Sequence, residues 1–168
     1  NKQEADGHVK NLEKASYIVE KITQKQVKKP PSPPFTTSTM QQAGVNILGF
    51  TSKKTMKLAQ DLYEQGLITY MRTDSLNLAP SAVLAARQFL EKEYGKNYVP
   101  QAPRFFKTKS KNAQEAHEAI RPTNVQIKSS ITKDHDRLYD LIWKRFLACQ
   151  MSEALVDQTS VDVTAGAY

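Results

Sequence analysis

The chain has 168 residues, 39% of them hydrophobic, with a formal charge of +7 and a pI near 9.4. That length suits one ordinary domain or one domain plus part of another, and the basic excess favours a polyanionic partner, nucleic acid first and an anionic membrane second. No run of about 18 apolar residues is present to span a bilayer, the opening NKQEADGHVK lacks the apolar core of a signal peptide, and the single cysteine, Cys149, excludes an intrachain disulfide framework and a Cys-rich zinc site.

A reducing cytoplasm fits this cysteine usage. The first residue is not Met, as expected of a piece of a longer protein. From Tyr17 to Val27 β-branched and polar residues roughly alternate, the pattern of an exposed strand. KKPPSPP, residues 28–34, then places four prolines in seven residues, which no helix or central strand accommodates; it reads as a stiff linker and a boundary. A Thr/Ser cap before Met40, Gln41 and Gln42 predicts a helix start. TSKKTMKLAQDLYEQG predicts a second helix, with Ser52 as cap, Met56, Ala59, Leu62 and Tyr63 as the inward stripe, and Gly66 just past the end.

LITYMR then reads as a short strand. APSAVLAARQFLEKEYG is a further helix, with Pro80 at its start and Gly95 after its end. Residues 98–112 form a basic loop with two phenylalanines, and AQEAHEAIRP a short helix stopped by Pro122. TKDHDRLYDLIWKRFLACQM predicts a long helix capped by Thr132, with Leu138, Leu141, Ile142 and Cys149 inward. Residues 154–168 close the chain as alternating strand. The ends are therefore β-like and the middle helical, consistent with a helical part inserted into one β unit. Two strands alone make that unit incomplete, and its exposed edges could pair two copies in a crystal.

Three groups of residues can carry chemistry. In a strand, Tyr70 and Arg72 share a face. A phenol with pKa about 10 is a poor nucleophile near neutrality; a fixed guanidinium nearby favours the phenolate and can grip a phosphate by paired hydrogen bonds. Asp74 and Ser75 follow, placed to cap a turn or hold Arg72. On spacing alone, a tyrosine packed at a core edge is the commoner arrangement. Second, on a helix Gln114, His117 and Arg121 share a face and could clamp a phosphate; a histidine near a helix end is the plainer alternative. The metalloprotease pattern HExxH fails, since Arg121 stands where the second His belongs. Third, RFFKTKSK mixes lysines and phenylalanines, suited to a nucleic-acid backbone and stacked bases or to an ordinary solvated loop. Lys53 and Lys54, at a helix start, could also touch phosphate. No glycine-rich phosphate loop, GxSxG elbow or DxDxD triplet is present.

PPFTTSTMQQ, LGFTSKKTMKLAQDLYEQGLITYMRTDS, NAQEAHEAIRPT and LYDLIWKRFLACQM together resemble bacterial DNA topoisomerase I of the type IA class. The resemblance runs from Pro34 to about Thr164, and GLITYMRTDS followed by EAHEAIRPT is highly specific as a pair. It implies that Tyr70 attacks a single-stranded DNA phosphodiester and keeps the 5′-phosphate, that Arg72 positions that phosphate, and that His117 contacts DNA near the scissile site. Thr69 and Arg121 lie in matching motifs. The implied fold is α+β, mainly α: a tyrosine-bearing helical domain at 31–156, related to CAP-like helix-turn-helix modules. Strands of an arch-like β domain flank it at 1–30 and 157–168. The implied parent relaxes negatively supercoiled DNA without ATP in the bacterial cytoplasm, using Mg²⁺ held by a Toprim domain that this segment lacks, so the segment alone should be inactive. A non-catalytic DNA-binding module and a protein-interaction domain are the competing readings.

Overall fold

The computed structural model describes residues 1–106, 117–127 and 131–166. Residues 107–112 of the basic loop, and Gln114 with the first half of the short helix expected at 113–122, lie outside the described residues. The chain divides into two compact units: Asn1–Lys29 with the residues from Ala154 on, and Pro30–Glu153. The fold is mixed, with five α-helices and one two-stranded sheet among the described residues.

In the first unit, α1 (Lys2–Glu13) precedes β1 (Tyr17–Lys29), which pairs antiparallel with β2 (Ala154–Ala165). The register runs from Tyr17 opposite Ala165 to Lys29 opposite Ala154, with a bulge between Val19 and Lys21. The alternation read at Tyr17–Val27 is thus a strand, and every residue of β1 is exposed. Helix α1 was not expected. Its signal is a capping box: the Asn1 side chain accepts from the Glu4 amide at 2.9 Å while Glu4 reaches back to the N-terminus.

The second unit packs α2 (Thr37–Leu48), α3 (Ser52–Glu64), α4 (Pro80–Tyr94) and α5 (Lys133–Cys149) around one core. Leu138, Tyr139, Ile142 and Phe146 of α5 are almost wholly buried, together with Phe35, Met40, Leu62 and Leu90. Each such side chain contributes about 1.5–3 kcal/mol relative to exposure. Most of the expected caps hold, with Pro80 opening α4 and Gly95 closing it. At α3 the cap is Thr51, whose hydroxyl accepts from the Lys54 amide at 3.1 Å, so Ser52 sits inside the helix. The α3 stripe also shifts: Thr55, Leu58, Ala59 and Leu62 are buried, while Tyr63 is 40% exposed.

Two expected elements are not seen among the described residues. Residues 67–72 are not a regular strand, and the described part of the 113–122 segment is not a helix. Instead Ile68 bridges Pro122 and Phe35 bridges Ile120, each as an isolated antiparallel pair. Residues 117–123 therefore run extended, and His117 and Arg121 do not share a helix face. The physical cause is tertiary: the amides of Ala119, Ile120 and Thr123 donate across to Asn77, Phe35 and Leu67 at 2.8–3.0 Å. Pro122 adds to this by disfavouring helical geometry at Arg121.

Helices α2 and α3 meet where Gly44 faces Thr55. A Cβ on Gly44 would lie 2.5 Å from the Thr55 hydroxyl, which is buried and donates to the Thr51 carbonyl at 3.1 Å. Thr55 has nowhere to turn, so Gly44→Ala must spread the two helices. We expect it to destabilise the protein by about 1–3 kcal/mol, seen as a lower midpoint in urea unfolding.

Candidate active site

Gly66 has φ +70°, a left-handed geometry that a side chain disfavours. It ends α3 with its amide donating to the Tyr63 carbonyl at 2.8 Å, while the Leu67 amide reaches the Leu62 carbonyl at 2.9 Å. The chain reverses there and brings residue 70 back beside the last turn of α3.

From this turn the backbone is held by side-chain hydroxyls rather than by a sheet. Thr123 donates from its hydroxyl to the Gly66 carbonyl at 2.6 Å. Thr69 donates from its hydroxyl to the Ala119 carbonyl at 2.7 Å and accepts from the Arg121 amide at 3.0 Å. Its own amide donates to the Arg121 carbonyl at 2.9 Å. Thr37, in the first turn of α2, donates to the Met71 carbonyl at 2.8 Å and accepts from the Thr73 amide at 2.8 Å. Ser75 and Asn77 amides bond the hydroxyls of Thr73 and Ser75, each at 3.1 Å. Ile68 and Met71 plug this segment into the core at 1% exposure each. From Met71 to Ser75 burial alternates, so Arg72 and Asp74 point outward.

Tyr70 is 40% exposed and contacts two other rings. Its centroid lies 5.2 Å from Tyr63 and 6.1 Å from His117, both edge-to-face. His117 and Arg72 line one open pocket of about 490 Å³, with Thr37, Ser38, Gln41 and Asp74 around them. The Arg72 guanidinium has no ion pair or hydrogen bond among the described residues, so neither Asp74 nor Ser75 holds it. A free guanidinium and an imidazole in an open pocket, beside an exposed phenol, suit a phosphodiester.

The other cations read from the sequence are placed differently. Arg121 donates to Glu118 at 2.6 Å and to the Pro122 carbonyl at 3.0 Å, and does not line the pocket. Lys54 lies over the Phe50 ring and pairs with Asp134 at 2.6 Å, and its hydrogen bond holds the Asp134 carboxyl below its usual range. Lys53 is exposed on the first turn of α3. Thr69 is a backbone clamp. Sequence reasoning missed Ser38, Gln41 and Thr37 as pocket residues. For Thr37 and Ser38 the signal was the TTST run, since side chains of a helix's first turn surround its N-terminus.

The clamp at Thr37 is open to a direct test. Thr37→Val keeps the shape but strands the Thr73 amide and the Met71 carbonyl, at a cost of about 1–3 kcal/mol. The expected result is a lower unfolding midpoint together with shifted backbone amide resonances at residues 71–75.

Comparison with known proteins gives the family. A family model described as DNA topoisomerase matches residues 1–168. DNA topoisomerase 1 of Zymomonas mobilis is 49% identical over 166 residues, covering 99% of this chain and 14% of that protein. DNA topoisomerase 1 of Helicobacter pylori is 50% identical over 169 residues, covering 92% of this chain and 23% of that protein. The structure of full-length topoisomerase I from Thermotoga maritima matches with a TM-score of 0.72 at 36% identity, over 94% of this chain and 27% of that one. The chain thus spans under a third of the length of these relatives, and it belongs to the bacterial DNA topoisomerase family.

Proposed function

We propose that this segment supplies the nucleophile of a type IA topoisomerase, a DNA-relaxing enzyme of the bacterial cytoplasm. The observation that carries this reading is that exposed Tyr70 meets the His117 ring at 6.1 Å, and that His117 lines one pocket with Arg72, which has no ion pair among the described residues. The Tyr70 Oη attacks the phosphorus of a single-stranded phosphodiester. The P–O3′ bond breaks, the phenolic proton is lost, and the departing 3′-oxygen takes up a proton. The product is a 5′-phosphotyrosine and a free 3′-hydroxyl. Reversal reforms the backbone after strand passage, and because each bond broken is replaced by one of similar energy, no ATP is needed.

Arg72 and His117 act on the non-bridging oxygens. Fixed donors aimed at developing phosphoryl charge are the main stabilisation such a transfer requires. A covalent intermediate divides one difficult exchange into two reversible ones. Among the described residues no three His, Cys, Asp or Glu side chains converge into a metal cradle. The Mg²⁺ implied by the family resemblance would be held outside this segment, in the Toprim domain, and no step above passes through it.

The test uses a full-length enzyme carrying this segment, Mg²⁺ and radiolabelled single-stranded DNA. We expect a covalent protein–DNA band that Tyr70→Phe abolishes and that Arg72→Ala slows by about 100- to 1,000-fold. The isolated segment should leave supercoiled plasmid unrelaxed. A Tyr70→Phe enzyme that behaves as wild type would instead favour a non-catalytic DNA-binding module.

A further inference from the structure

We infer that Tyr63 is a positioning residue for the nucleophile: its ring and that of His117 each meet the Tyr70 ring in an edge-to-face contact. The inference rests on the reading of Tyr70 as nucleophile. Tyr63 occupies the last turn of α3, where its periodic position would place it in the inward stripe, yet it is 40% exposed and outside the hydrophobic core cluster. Its ring contact is with Tyr70, at 5.2 Å between centroids and 63° between planes. The left-handed turn at Gly66 creates this contact, since it folds residue 70 back against residue 63.

The need for such a contact follows from the exposure of Tyr70. A half-exposed tyrosine on irregular backbone has a backbone fixed by Thr37 and Thr69 but a ring free to change rotamer. In-line attack requires the Oη at a defined distance and angle from phosphorus, and lost alignment reduces rate directly. Edge-to-face aromatic contacts favour one ring orientation with a modest, directional energy. The Tyr63 hydroxyl makes no hydrogen bond among the described residues, so the ring alone does this. Because Tyr63 lies outside the core, replacing it should leave the fold intact.

The experiment is single-turnover cleavage of a single-stranded oligonucleotide at saturating DNA by a full-length enzyme carrying this segment. Wild type, Tyr63→Phe, Tyr63→Leu and Tyr70→Phe are compared, with DNA affinity measured separately. Tyr63→Leu should slow cleavage about three- to tenfold, with rejoining slowed alike and affinity unchanged. Tyr63→Phe should stay within about twofold of wild type, since it keeps the ring edge. Equal rates for Tyr63→Leu and wild type would overturn the inference. So would a loss confined to DNA affinity, which would make Tyr63 a DNA contact. So would a Tyr63→Phe enzyme as slow as Tyr63→Leu, which would assign the role to the hydroxyl. Failure of the underlying reading looks different: the wild-type enzyme would form no adduct, or Tyr70→Phe would still form one.

Discussion

The site depends on backbone hydrogen bonds that no sheet provides. Residues 66–77 run as irregular chain, and each amide or carbonyl left unpaired against the core would cost about 1–3 kcal/mol. Threonine and serine hydroxyls fill those places: Thr37, Thr69, Thr73, Ser75 and Thr123 each accept from or donate to a backbone group here. Several of these bonds join distant parts of the sequence, tying the stretch to α2 and to residues 119–123. The result is a rigid yet non-repetitive backbone, which lets Tyr70, Arg72 and Asp74 face outward while Ile68 and Met71 stay in the core.

That rigidity gives meaning to which cations are tied down and which are free. Arg121 and Lys54 sit in close ion pairs and serve the fold. Arg72 has no such partner among the described residues and lines the pocket with His117. A guanidinium on a fixed backbone that makes no ion pair among the described residues, even with Asp74 lining the same pocket, is available to an anion that arrives from outside. Part of the pocket's polar wall, Thr37, Ser38 and Gln41, comes from the first turns of the helix that clamps the Tyr70 segment. One element thus fixes the backbone beside Tyr70 and lines the adjoining pocket.

Much of the fold was legible in local sequence. Period and caps mark α2, α3, α4 and α5, because Thr36, Gly66, Pro80, Gly95 and Thr132 act within a turn of themselves. Alternation marks β1 in the same way. The stretch around Tyr70 was not legible as it stands. Its alternation at Ile68, Tyr70 and Arg72 suggests one face, whereas Ile68 is buried and the other two are exposed. The bonds that decide this come from residues 34–52 positions away. The Ala- and Glu-rich run before Pro122 reads as helix for the same reason: local propensity is a weak prior, and tertiary hydrogen bonds override it at His117–Pro122. Tyr63 likewise follows helical period into the core on paper, while the turn at Gly66 gives it a ring to meet outside.

The most direct measurement asks whether a residue of this segment carries DNA, and which. Covalent complex trapped with a full-length enzyme carrying this segment would be digested with nuclease and protease and read by tandem mass spectrometry. The account predicts a nucleotide joined through its 5′-phosphate to Tyr70 in the peptide spanning GLITYMR. A nucleotide on any other residue, or a 3′-phosphate linkage to Tyr70, would contradict it.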